Sequence, residues 1–248
     1  PTNGLRDQYV YTRPWAYKNI TEWKLGGMIH DATFIVNFAH VKGHPSCSFG
    51  AAFKNLALGS MASKTRSQMH DVHHFDRYWF GEHCPDEATR KQIMAACPFQ
   101  ALVEDRDHPG ELHLHFEPCN QCGRCLKVAP AGSLVIRPEN FWAFQEAMAI
   151  STKIVMDSFE SGKAVHLALA THMTPVCDCF GFTSLPILPD AGIFGSDDIV
   201  AIDQAVLDVT AKTPLLEQNI PTSMEVTHHE GHPFSWLHGP YKDPYKVL

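Results

Sequence analysis

Short apolar runs alternate with polar, turn-forming stretches along most of the chain. ATFIVNF (32–38), rich in β-branched residues, predicts a buried strand. HVKGHPSCSFG (40–50) reads as a turn-rich loop, and AAFKNLALGSMA (51–62) as a short helix ending near Gly59. The order strand, loop, helix brings backbone N–H groups to a helix start, a place suited to an anion. PENFWAFQEAMAISTKIVMDSFESG (138–162) predicts a long helix, AVHLALA (164–170) a strand, and HMTPVCDCFGFTSLPILPDAGIFGS (172–196) a long loop. DDIVAIDQAVLDVTAK (197–212) predicts a helix capped by Ser196, with Ile199, Ile202, Val206 and Val209 on one face. Residues 1–30 show no clear period, and 69–84 form a connection rich in histidine and aromatics. Strands alternating with helices predict an α/β domain with a mostly parallel sheet and flanking helices, built from residues 1–83 and 138–248. Between them, residues 84–137 have a different texture and are expected to be an insert.

The insert carries PCNQCGRCLKVAPAG (118–132), where Cys119, Cys122 and Cys125 are spaced by two residues. A cysteine is expected at Ala129, just before Pro130. Upstream, ACPFQALV (96–103) matches VAPAGSLVI (128–136), so that Cys97-Pro98 aligns with Ala129-Pro130. The insert is thus a degenerate internal repeat, and it resembles the two-cluster bacterial ferredoxin module. In that module three close cysteines of one half share a cluster with a fourth from the other half. Under this crossing rule the ligand positions of one cluster hold Glu87, Arg90, Ile93 and Ala129, and all four thiols are gone. The other set, Cys97, Cys119, Cys122 and Cys125, is complete. The resemblance therefore implies a ferredoxin-like α+β insert with one [4Fe–4S] cluster, the chemistry of anaerobic electron transfer. A structural zinc site is the alternative, although zinc usually takes separated CxxC pairs. PDEATRKQIMAA (85–96) reads as an amphipathic helix opening at Pro85, and Leu112, Leu114 and Phe116 alternate as in a strand.

Composition narrows the function. The formal charge of −7 argues against general nucleic-acid binding, which needs a basic face. No apolar run is long enough for a membrane span, and a cytoplasmic placement is expected. The chain starts at Pro1, so a processed or incomplete N-terminus stays open. Four of the eight cysteines fall between positions 97 and 125, a clustering that points to metal rather than disulfides.

Three further stretches carry a resemblance: VKGHPSCSFGAAFKNLALG (41–59), SKTRSQMH (63–70) and TPVCDCFGFTSLPILPDAGIFGSDDIVAIDQAVLD (174–208). Together they resemble the family catalogued as domain of unknown function 362, some members of which carry a ferredoxin-like insert. The family name implies no reaction. Cys177 and Cys179 flank Asp178 after one strand, and His44 and Cys47 follow another. If the strands are parallel neighbours, both loops meet at one sheet edge. His44, Cys47, Cys177 and Cys179 are then candidates for a second metal or cluster, with Cys84 as an additional thiol. The alternative is that these cysteines are small buried hydrophobes. Lys54 with Asn55 is a candidate holder of a small anionic substrate or phosphate; Lys54, Asp178 and Asp190 are the catalytic candidates. Asp203, in mid-helix, is expected to be structural. The expected function is an iron–sulfur oxidoreductase or oxidoreductase subunit, with an electron donor or acceptor protein as partner and an oligomer not excluded. The alternatives are a non-enzymatic electron carrier whose α/β part is a docking scaffold, or a cluster that only pins the insert.

Overall fold

The computed structural model describes residues 9–12, as backbone, and 15–248. Strands β1 (Tyr9–Thr12) and β2 (Trp23–Gly26) form a hairpin that runs into the one-turn helix α1 (Gly27–His30). Next come β3 (Ile35–His40), the short hairpin β4 (Lys42–His44) and β5 (Ser48–Gly50), and helices α2 (Ala52–Gly59) and α3 (Ser63–Asp71). The cysteine-bearing region holds α4 (Glu87–Ala95), β6 (Leu102–Glu104), β7 (Leu112–Leu114) and α5 (Arg124–Val128). The long helix α6 (Pro138–Met156), β8 (Ala164–Ala170), β9 (Gly192–Ser196), α7 (Ile199–Thr210) and α8 (Pro233–His238) complete the chain. No helix among the described residues is long and apolar enough to cross a membrane.

The α/β arrangement holds, but the expected mostly parallel sheet does not. Among the described residues the largest sheet has three strands in the order β3-β8-β9, and only β3 and β8 run parallel. β9 pairs antiparallel with β8, and the other three sheets are antiparallel two-stranded hairpins. The reason lies in the stretch taken for a long loop. The chain reverses between Met173 and Leu188, which already bridge antiparallel, so Gly192–Ser196 returns along β8 without a crossover helix. The ferredoxin-like α+β topology of the insert is also overturned. β6 and β7 pair only with each other, and Leu134, in the second half of the repeat, bridges to Trp79 instead. Val135 N–H likewise donates to Tyr78 O at 2.8 Å, so this segment is held outside the hairpin.

β3 is half-buried rather than fully buried. Asn37 and Ala39 face α2, while Val36 and Phe38 lie on the other face, 57% and 60% exposed. Helices α2 and α7 cover one face of the sheet only, and Ile193 of β9 shares the open face. Helix α7 is capped by the Asp198 carboxylate, which accepts from Val200 and Ala201 N–H, rather than by Ser196. Two apolar clusters form. One joins β2, α2, α6, β8 and α7; the other gathers Trp79, Ile93, Leu102, Leu114, Phe116 and Phe141 around the β6–β7 hairpin.

Candidate functional site

Because β3 and β8 are parallel neighbours, the segments that follow them emerge at the same sheet edge. The β4–β5 hairpin carries His44, and the loop after β8 carries Cys177 and Cys179. Gly43 N–H donates to Thr174 O at 2.8 Å, tying the two together. The approach demands glycine: a Cβ on residue 43 would lie within 3.0 Å of the Pro175 carbonyl. One ligand atom each of His44, Cys177 and Cys179 then lie within 4.8 Å of one another, a group able to hold a metal ion. His44 and Cys177 are buried and Cys179 faces solvent.

The electrostatics favour thiolate at this point. Lys54 Nζ lies 3.4 Å from Cys177 Sγ and 3.5 Å from Cys179 Sγ. The Cys177 thiol is brought down to about 5, first by the hydrogen bond from Cys179 and then by the Lys54 and Lys42 ammonium groups. Cys179 is pushed up, chiefly by the same bond and then by partial desolvation, so the pair shares one proton. His44 Nδ1 accepts the Ser46 N–H at 3.1 Å, which leaves Nε2 with the ring proton, 3.6 Å from Cys179 Sγ. Metal uptake here therefore displaces protons and competes with Lys54 for the sulfurs.

Cys47, expected as a fourth ligand, stays out of the group. Its thiol donates to Phe49 O, and burial pushes it up to about 12, the behaviour of a small buried hydrophobe. Cys84 packs at the other core cluster with its thiol toward Asp86 O. Asp178 is solvent-facing and 3.8 Å from His40 Nδ1. Asp190 accepts the His172 N–H at 2.7 Å and so holds a turn. The start of α2 is not an open anion site. The buried Asp203 carboxylate accepts from Ala52 and Phe53 N–H, both at 2.9 Å.

A cavity of about 400 Å³ opens beside the His44 group. It is lined by Lys42, His44, Lys54, Arg66, His70 and Cys179, with Ala51, Leu58 and Phe180 as apolar walls. Sequence reasoning missed Lys42 and Arg66 as site residues and weighed His70 only as one of several histidines able to bind metal. The signal for Arg66 was the basic stretch SKTRSQMH, which had no partner in sequence to point it at the cavity.

A second cavity, of about 50 Å³, is lined by all four of Cys97, Cys119, Cys122 and Cys125. The loop bends tightly because Gln121 and Gly123, on either side of Cys122, both take left-handed backbone (φ 58° and 71°). Cys97 Sγ accepts the Ala101 N–H at 3.3 Å. Asn120 also lines this cavity, and both polar atoms of its buried side chain lack a protein partner.

The sequence profile described as domain of unknown function (DUF362) matches residues 1–208. The chain belongs to the DUF362 family. No curated protein and no solved structure matches it. The DUF362 match ends before α8, and the tail beyond it links the two thiol sites. His238 Nε2 pairs with Pro175 O at 2.7 Å, two residues from Cys177. Four residues on, the fully buried Lys242 ammonium donates to Glu117 O and Cys119 O, at 2.9 and 2.8 Å. Tyr241 lines the cysteine cavity, and its N–H donates to Gln121 Oε1 at 2.8 Å.

Proposed function

We propose that this DUF362 chain is an iron–sulfur redox protein, in which residues 84–137 bind one [4Fe–4S] cluster and the His44–Cys177–Cys179 site is the electron-exchange partner within the chain. Cys97, Cys119, Cys122 and Cys125 are the ligands in this reading. When bound, such a cluster supplies or accepts one electron at a time.

The cavity, the cysteine spacing and one side chain support the ligand set. The four thiols line one cavity although Cys97 is far from the others in sequence. The CxxCxxC spacing suits a cluster, whereas zinc usually takes cysteines in separated CxxC pairs. The unpaired Asn120 amide supplies a donor toward the anionic thiolates and sulfides.

An oxidoreductase is favoured over a docking scaffold by one observation. The region of His44, Lys54 and Cys179 is an open cavity rather than a filled, dry core. The residues have clear tasks there. Lys54 keeps a thiolate charged in a half-buried setting, and His44 presents a ring proton toward Cys179. Leu126 and Val128, exposed beside Cys125, offer an apolar surface for an electron-donor or acceptor protein.

The test is purification under anaerobic conditions. A brown protein with about four irons and four sulfides per chain is expected. Each of Cys97→Ala, Cys119→Ala, Cys122→Ala and Cys125→Ala should lower both, and Cys84→Ala should not. A colourless protein with one zinc ends the proposal.

A further inference from the structure

The 400 Å³ cavity has a lining of one sign. Lys42, Lys54 and Arg66 contribute cations, His44 and His70 contribute imidazoles, and no carboxylate side chain among the described residues lines it. Among the described residues, neither Lys42 nor Lys54 nor Arg66 has a carboxylate oxygen within 4.0 Å; Arg66 makes one long bond, 3.4 Å, to Ser63 Oγ. The negative groups nearby are the Cys177 and Cys179 sulfurs, which Lys54 faces, Asp178, which lies toward His40 and Lys42, and Glu117, whose carboxylate is 3.8 Å from His70 Nδ1 behind the wall. Lys54 is thus matched by sulfur and Lys42 is drawn in part toward the same sulfurs and Asp178, while Arg66 has no counter-ion among the described residues on the cavity wall. Ala51, Leu58 and Phe180 give the remaining wall an apolar character.

We infer that this cavity binds a small organic oxyanion, a carboxylate or phosphate held by Lys42 and Arg66, with its carbon skeleton against Leu58 and Phe180. The volume suits one small metabolite. The anion sits beside Cys179 and His44, so it is the substrate class of the electron-exchange site. In that respect the inference deepens the redox reading and rests on it; the anion binding itself does not. The helix start is not the binding element, since Asp203 already occupies the Ala52 and Phe53 N–H groups. Specificity therefore comes from side-chain cations, and guanidinium offers a fork that matches either oxyanion.

Calorimetric titration of the purified full chain tests this, with inorganic phosphate in one arm and malonate in the other. One-to-one binding of at least one probe below about 1 mM is expected. Arg66→Met and Lys42→Met should each weaken it about tenfold, the scale of one lost charge-assisted hydrogen bond. Binding of phosphate alone assigns a phosphate ligand, and of malonate alone a carboxylate. Absence of binding by either probe at 10 mM overturns the inference, as does unchanged affinity in either variant while its circular dichroism is native. Iron and sulfide content of the same preparation reads the redox proposal separately. Anion binding without iron refutes that proposal and leaves the cavity assignment standing; iron without anion binding does the reverse.

Discussion

The ammonium of Lys242 is buried 2.8 Å from the carbonyl oxygen of Cys119, inside the loop that carries three of the four clustered cysteines. A lysine rarely goes fully inside unless its head group is held by acceptors. Here the acceptors are the backbone oxygens of Glu117 and Cys119, the latter also reached by Gln121 Nε2 at 3.4 Å. Replacement by Met should destabilise the protein by about 1–3 kcal/mol, lowering the melting temperature by several degrees. It should also lower iron retention, and Lys242→Arg should do so less. Thermal unfolding with an iron count measures both. An unchanged melt and unchanged iron would show that the loop holds its shape without this clamp.

The Cys177–Cys179 pair should carry one thiolate at neutral pH in the metal-free chain, because its acidic member titrates near 5. Difference absorbance at 240 nm between the wild type and Cys177→Ser reads it directly. Lys54→Met removes a cation 3.4 Å from the sulfur, so the thiolate signal should shift to higher pH. A titration curve that does not move would mean that Lys54 does not control this charge.

Cobalt(II) should bind at His44, Cys177 and Cys179 and give a sulfur-to-metal absorption band. Cys177→Ser and Cys179→Ser should abolish the band. Cys47→Ser should keep it, since the Cys47 thiol is turned to Phe49 O. Uptake should release protons, measurable in weakly buffered solution. Loss of the band in Cys47→Ser would restore Cys47 to the ligand set.

Asp203 should make stability fall as pH rises through the acidic range. Burial raises its carboxyl to about 7, above the ordinary 3.8, in spite of the Ala52 and Phe53 N–H bonds. Between about pH 4 and 7 the unfolded chain has released this proton and the folded chain retains it. The native state therefore binds more protons, and the contribution of Asp203 declines toward pH 7, by at most about 4 kcal/mol. Asp203→Asn should lack this component. Urea unfolding of both proteins at several pH values isolates it, because the buried histidines act alike in each. A constant difference between the two proteins across the range would contradict the assignment.

Gly43→Ala should displace the Cys177 loop. Its new methyl group would meet the Pro175 carbonyl at less than 3.0 Å, which is backbone and does not swing aside. A loss of about 1–3 kcal/mol in urea unfolding, with loss of cobalt binding, is expected. Retention of both would show that the two loops part freely.

The local elements were largely legible. β8 lies at 164–170 as its apolar run indicates, α2 ends at Gly59, and α6 starts at Pro138. Hairpins β1–β2 and β4–β5 and strand β9 were not legible. They are three to five residues long, and such short elements carry too little periodicity to be read. Of the site residues, His44, Lys54, Cys177 and Cys179 were singled out from sequence and come together. Cys47 did not, because its neighbour in sequence says nothing of the direction in which the buried thiol points.

The sequence by itself determined where the helices and most of the longer strands run, which residues carry chemistry, and that Cys97 is the one upstream thiol that aligns with the missing ligand position. Those are properties of periodicity and spacing within a few residues. Tertiary structure alone decided that β9 returns antiparallel and that Lys54 sits between two sulfurs more than a hundred positions away. It also decided that Arg66 and Lys42 share a cavity, and that the tail reaches back to Cys119. The physical reason is that these relationships are distances between groups remote along the chain. Packing around the core sets such distances, and no local pattern of apolar and polar positions encodes them.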